Sequence, residues 1–559
     1  MMARYLLHHI YNETIKSWVL GFLIVVLVLF LSCGKQEEIK TSGATLRLAS
    51  AGGPPQSLNP LLIDRSISVA LLQLVYNSLV KMDYEMKPIP DLANSWNISE
   101  DGLTYTFNLR PNVRFHDGVE LTSADVAFTY DLIRHSQIQS PRRSYFDSVE
   151  RWETPDKYTF RIILKTAFGL TITSLTEPIL PKHLLEGQDI KTTKFNYHPV
   201  GTGPFRFKEW TADNRIILER NQDYYEDFTA EAQRVPRMLS GRLGGEYIDR
   251  IEARGYDTQN QLFTAFMKGE TDLIFYLSTE QFETISRDQQ AKTYSFPYVW
   301  TYAIEYNLEH PLVKDKTIRT ALAYAINIPE MIKNIDKGYG AVSTGPFIPQ
   351  TWWHNPAVKP LGYNPARAQE MLASAGWRLN KQGVLEKDGR EFRFKLLVNE
   401  ESRDNKYMAM LIYNDLFRIG VRPELVSFYY PSYAKGESTI PEDAAAYLTG
   451  HCIMADPADL NVYWDSRHRD PRAKLWGYDN IEVKHLFDVG GTRIQLEERR
   501  PVYQRLHKML YNDQPALFLY FPYNLAAIRK GFTNTDRLFS PAMPFWTIKD
   551  WKWTSPAGQ

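Results

Sequence analysis

The chain has 559 residues, with 65 basic and 65 acidic side chains and a formal net charge of zero. Hydrophobic residues make up 44% and charged residues 23%, which suits two or three lobes around a large buried core. No lysine and arginine run stands out as a phosphate-tracking surface, which sets nucleic acid aside, while the 33 Tyr and 13 Trp exceed what core packing needs and suit an amphipathic cleft.

Arg4 and Lys16 precede an uncharged apolar run from Trp18 to Leu31, followed by Ser32-Cys33-Gly34 and a polar stretch. The run is shorter than the roughly 20 residues of a comfortable bilayer span and fits a secretory signal. Cys33 directly after Ser32 resembles a bacterial lipoprotein signal, in which Cys33 would be lipidated. An uncleaved membrane anchor and ordinary cleavage are the alternatives, and all three export the bulk of the chain. The expected divisions are 1–33 as signal or anchor and 34–44 as a tether. Cys452 is the one other cysteine, so no zinc spacing arises, and with Cys33 lipidated no disulfide closes within the chain.

Thr45 to Ser50 alternates as a first strand and is broken by Gly52-Gly53-Pro54-Pro55. Ser57 to Val80 reads as a loop entering an apolar helix. From Asp101 to Ile133, Leu103, Tyr105, Phe107 and Leu109 alternate with polar residues as a strand. Pro111-Asn112 ends it, His116-Asp117-Gly118 is a turn, and Thr122 with Asp125 makes a capping box opening a helix. Asp156 to Leu164 belongs to a strand pair. GTGPF (201–205) lacks the lysine and spacing of a phosphate loop and reads as a structural turn leading to the strand IILERNQDYYE. Leu262, Phe263, Phe266 and Met267 lie at helical spacing before Gly269 and a short buried strand.

Around Tyr298 to Asn307 the chain crosses into a second lobe. Ile318, Ala321, Leu322 and Ala325 share a helical face, and Pro329 suits the first turn of the next helix. Asn364-Pro365 to Gly376 is a capped helix, followed by strands near Phe392–Val398 and Val421–Phe428 around a helix near Tyr407–Ile419. A further helix spans about Leu496 to Tyr511, and Ala516 to Lys530 returns the chain to the first lobe. Two crossing segments make the hinge of a closing clamp. No HExxH, GxSxG, Walker A or GxGxxG after a strand occurs, which is weak evidence against catalysis; only together with export and the family resemblance that follows does it imply a chain that is not an enzyme and needs no cofactor.

LANSW (92–96), the 101–133 block, GTGPF, NQDYY and the arginine-alanine-leucine helix resemble the family 5 extracellular solute-binding proteins, which deliver oligopeptides, dipeptides, nickel chelates and related solutes to ABC importers. The resemblance implies an α/β, two-lobe periplasmic-binding-protein-like clamp with an enlarged first lobe (class II, three subdomains). It implies lobe I at 45–300 with a subdomain about 81–198 inserted, lobe II at 301–521, and a return to lobe I at 522–559. The function implied is solute capture, most often of a peptide, and delivery to a membrane permease by an exported, N-terminally anchored monomer, periplasmic or at the outer cell surface. The alternatives are an orphan ligand-sensing lipoprotein, or binding of nickel chelates or oligosaccharides.

In peptide-binding relatives a tryptophan and then an aspartate that pairs with the peptide ammonium precede an Asp-Pro or Glu-Pro turn. Asp456-Pro457 matches the turn, which places the ammonium position on Ile453 and the tryptophan position on Gly450. Isoleucine supplies no charge-assisted hydrogen bond. A gap in the match would let Asp456 or Asp459 substitute. The resemblance places Asp64, Arg65 and Ser66 in the loop facing the cleft. Trp300, Tyr306, His451 and Trp464, near the crossing or the recognition loop, complete the expected ligand-binding set.

Overall fold

Alternation decides the strand at the centre of the 101–133 block: in Thr104–Leu109 the side chains of Tyr105, Phe107 and Leu109 are buried and those between them are not. The computed structural model describes residues 43–554 except 63–65, 136–137, 139, 141–142, 167–171, 229–245, 400–401, 430–440, 442, 454–455, 468–476 and 494. The apolar run, Cys33, Asp64 and Arg65 therefore lie outside the described residues, among which no helix is long and apolar enough to cross a membrane. The helix expected after the turn spans Ser123–Arg134. Asp125 accepts from the backbone N–H and the hydroxyl of Thr122 at 2.8 and 3.0 Å and from the backbone of Lys182 at 3.0 Å. The cap thus also ties the helix to a distant loop. With Ala93–Ile98, Val149–Asp156 and Thr159–Leu164 the strand builds a four-stranded antiparallel sheet over its own apolar core.

GTGPF and NQDYY prove to be structural. A Cβ on Gly201 would lie 2.0 Å from the Val75 carbonyl oxygen, and one on Gly203 would lie 2.5 Å from that of Leu74, so only glycine lets this loop lie against the end of the Ser66–Val75 helix. Thr202 donates to Asn77 Oδ1 at 3.1 Å, Asn77 Nδ2 donates to Asp91 at 3.0 Å, and the Tyr225 hydroxyl donates to the same carboxylate at 2.5 Å. One buried polar chain therefore joins three segments distant in sequence, with each member satisfied by the next.

The first strand, Ala44–Ala51, runs parallel to Glu246–Tyr256 in a six-stranded sheet that the C-terminal strands Phe532–Thr533 and Lys552–Trp553 complete. A four-stranded sheet joins Leu273–Ile274, Tyr520–Arg529, Ala291–Pro297 and Gly340–Val342. A five-stranded mixed sheet, ordered Arg422–Ser427, Arg393–Val398, Ala444–Cys452, Trp300–Tyr306 and Ala516–Phe518, carries another core. The helix Lys316–Ala325 turns Ile318, Ala321, Leu322 and Ala325 into that core. Its Arg319 is buried and donates to the carbonyls of Val313, Lys314, Asp513 and Gln514 at 2.7 to 2.9 Å. The end of the Leu496–Asp513 helix is thereby fixed just before the return strand.

The chain changes sheets twice at one place. It leaves the four-stranded sheet at Pro297 and enters the five-stranded sheet at Trp300; on the way back it leaves at Phe518 and re-enters at Tyr520. Tyr298 N–H donates to the Pro522 carbonyl at 2.9 Å, Leu519 N–H to Tyr302 at 2.8 Å, and Ser343 N–H to Leu519 at 2.9 Å. Two short linkers cross-braced by backbone bonds suit a hinge, because rotation there changes few dihedral angles.

Candidate functional site

The crossing is lined with aromatic rings that solvent reaches. Tyr276 is 45% exposed and Tyr298 36% exposed, and their rings meet edge-on at 6.0 Å. Tyr276 adopts φ 57°, a left-handed conformation unusual for a tyrosine, held by its N–H donating to Asn524 Oδ1 at 3.2 Å. Trp300, half-buried, lies edge-on to Tyr302 at 6.5 Å, and Tyr302 packs at 5.2 Å on Tyr520 of the return strand. Burial of the hydroxyl pushes Tyr276 up to about 12, and burial raises Tyr298 as well.

Register sorts the expected site residues between two faces of the sheet. Trp300 pairs with Cys452 and Thr301 with His451, so His451 leaves the sheet on the face opposite Trp300. There His451 Nε2 lies 2.6 Å from Glu305 Oε1, its ring packs between Tyr463 and Trp464, and its Nδ1 has no partner among the described residues. Trp300 covers Gly450: a Cβ there would lie 2.3 Å from the indole ring. The point where the resemblance expects a tryptophan is thus filled by an indole from the neighbouring strand. Burial pushes the Cys452 thiol up, and it is unpaired among the described residues.

Ile453 is 2% exposed, donates its N–H to the Val299 carbonyl at 2.8 Å and packs in a core with Trp464. Asp456, 1% exposed, is spoken for: Arg499 donates to its two oxygens at 2.9 and 2.5 Å, and the N–H of Ala458 donates to Oδ1 at 2.8 Å. Arg499 also donates from Nε to the Gly490 carbonyl at 3.0 Å. Asp459 sits beside this pair; burial first, then the Asp456 charge, raise its pKa to about 7, against the lowering effect of Arg499. Tyr306, at 1%, and Trp464, at 5%, are core side chains in this conformation. The structure pairs Tyr276 with Tyr298, neither of which the sequence reading selected, beside the crossing at which Trp300 begins its strand of the five-stranded sheet. Ser66 opens the Ser66–Val75 helix, of which Val69 and Ala70 line a cavity that Tyr276 also lines. Exposure of large rings beside a change of sheet is the signal that finds the two tyrosines, and it needs the fold.

Among the described residues no group of three or more His, Cys, Asp or Glu side chains is placed to hold a metal ion. A sequence profile described as bacterial extracellular solute-binding proteins, family 5 Middle, matches residues 87–469. The chain belongs to this family. Family 5 proteins are exported and serve ABC importers as their solute-binding components, and this chain has their two-lobed α/β fold. Oligopeptide-binding protein AppA of Bacillus subtilis (strain 168) is 26% identical over 93% of each chain, and glutathione-binding protein GsiB of Salmonella typhimurium is 27% identical over 90% of this chain and 92% of its own length. The crystal structure of B. subtilis AppA in complex with a nonapeptide, 25% identical, superposes with a TM-score of 0.62 over 92% of this chain and 99% of that one. The unliganded open form of the murein tripeptide-binding protein MppA, 16% identical, shares the fold at a TM-score of 0.77 over 93% and 99%.

Proposed function

We propose that this family 5 protein captures peptides or peptide-like solutes between its lobes and hands them to a membrane permease. Lobe I is taken as 45–300 with 522–559, including a subdomain about 81–198, and lobe II as 301–521. The observation that carries the reading is the braced double crossing at Pro297–Trp300 and Phe518–Tyr520, with Tyr276, Tyr298 and Trp300 standing at its mouth. Closing about that hinge would bury the rings against a solute, and only a solute that binds the closed state better drives closure. Two relatives that span at least 90% of the chain are named for peptide ligands, which favours peptides over chelates and sugars.

With Ile453 apolar and Asp456 committed to Arg499, neither position grips a peptide ammonium; recognition falls to backbone hydrogen bonds and aromatic surface. His451, Asp456 and Trp464 then shape the cleft wall from behind rather than touching the solute, and Trp300 touches it. A lipid on Cys33 would hold the monomer at the membrane, and mass spectrometry of the mature N-terminus finding Cys33 unmodified would remove that part of the reading.

The test is thermal unfolding of the full chain against di- to pentapeptides with free and acetylated N-termini, nickel chelates and oligosaccharides. A ligand at 100 times its dissociation constant adds roughly 2.7 kcal/mol and raises the midpoint. Peptides are expected to raise it whether acetylated or not. A shift with chelates or sugars alone would overturn the peptide reading, and a shift with free-amine peptides alone would place an unrecognised acid at the ammonium.

A further inference from the structure

Beside Tyr276, lobe I contains a cavity of about 150 Å³ whose lining includes Leu48, Ser50, Val69, Leu262, Phe275 and Met543. Among the described residues no charged side chain lines it. Its floor is the end of the first strand and the short Leu273–Ile274 strand with Phe275, whose ring packs edge-on against Phe545 at 5.8 Å. Its rim is Val69, 48% exposed, and Tyr276, and Tyr276 joins it through Tyr298 to the crossing. The rim therefore lies next to the ring pair that borders the crossing. The Ser50 hydroxyl there is buried without a hydrogen-bond partner among the described residues. Gln259, also in the lining, spends its amide N–H on the Phe275 carbonyl at 2.8 Å.

An apolar cavity of this volume takes one benzene-sized group and gives a charged or strongly polar group nothing to pair with. Two large apolar side chains held open at its rim would gain by being covered. We infer that this cavity is a side-chain specificity pocket, which selects solutes carrying a leucine-, methionine- or phenylalanine-sized apolar group, with the Ser50 hydroxyl free to bond the adjoining main chain. The inference rests on the capture of peptides proposed above and adds the chemical class of one of their residues. Extending a buried alanine side chain to leucine adds three carbons, and even with the pocket partly open to solvent a preference of about tenfold or more is expected.

The experiment measures dissociation constants by calorimetry for tripeptides in which X, at each position in turn, is Ala, Leu, Phe or Lys and the other residues are Ala. At one position Leu and Phe are expected to bind at least about tenfold tighter than Ala, with Lys no better than Ala. Val69→Trp, a change at a half-exposed helix position that fills the mouth, should collapse the Leu-to-Ala ratio toward one; Met543→Trp fills the pocket from the other side should Val69→Trp lower the unfolding midpoint. Binding that ignores X at every position, or a ratio that survives both fillings, would overturn the pocket while leaving peptide capture intact. If no peptide binds, peptide capture fails and toluene reads the pocket alone. A rise in the unfolding midpoint with toluene, lost in Val69→Trp, would keep the pocket; no rise would overturn it.

Discussion

The pair Asp456–Arg499 offers the sharpest energetic test, because both partners are nearly sealed from water, at 1% and 5% exposure. Arg499→Met keeps the side chain's length and removes its charge. Asp456 then loses two donors and keeps the N–H of Ala458, so a buried carboxylate is left with one hydrogen bond and no counter-charge. Breaking such a pair from one side costs about 3–5 kcal/mol, whereas replacing both partners by apolar residues of similar volume is often near neutral. Asp459 sharpens the expectation. Its pKa, already about 7, rises further once Arg499 is gone, so the loss should be greatest at pH 8 and smaller at pH 5, where a proton can neutralise the site. Urea unfolding followed by circular dichroism, with the slope checked for constancy, gives the change in stability. The double variant Asp456→Leu with Arg499→Met should recover most of it. A loss under about 1 kcal/mol for Arg499→Met, or a double variant as unstable as the single one, would refute the account of Asp456 as a committed structural anion.

Two further outcomes follow from close contacts and burial. Gly201→Ala places a methyl 2.0 Å from the Val75 carbonyl oxygen, so the loop must withdraw from the helix; a loss of about 1–3 kcal/mol is expected in the same urea assay, and a neutral result would show that the close approach is dispensable. His507 is buried, accepts the N–H of Asn355 on Nδ1 at 3.1 Å and has its pKa lowered to about 3, chiefly by burial. A depressed folded pKa means stability that is present above the ordinary value near 6.5 and lost as pH falls toward 3. His507→Gln, which cannot charge, should therefore be less stable than the parent at pH 8, with the gap closing by up to about 1.4 kcal/mol per unit below pH 6.5; a gap independent of pH would contradict the burial of a neutral ring.

Local physics carried much of the fold. Alternation placed Thr104–Leu109, Asn364 capped the Pro365–Ser374 helix through its side chain, and Ile318 to Ala325 turned one face to a core. The Ala444–Cys452 strand shows why the rest stayed hidden. Its residues are buried on both faces, so the stretch has no alternation to read, and the side on which His451 or Cys452 emerges depends on register with Trp300–Tyr306. That is why Tyr306 and Trp464, chosen for their nearness in sequence to the crossing or the recognition loop, and Ile453, reached by counting back from the Asp-Pro turn, lie in cores, while Tyr276 and Tyr298 stand exposed. Asp456 was legible as a turn residue, capping Pro457–Leu460, but its partner Arg499 lies 43 residues away on another helix and nothing local announces it.

The most direct test of the central claim is small-angle scattering of the full chain in contrast-matched detergent, with and without a peptide that raises its unfolding midpoint. A clamp hinged at the double crossing should contract on binding, and the scattering curve should change in the direction of a smaller radius of gyration. Saturated binding with an unchanged curve would mean that the lobes do not close on the solute, and the hinge would then be a rigid joint.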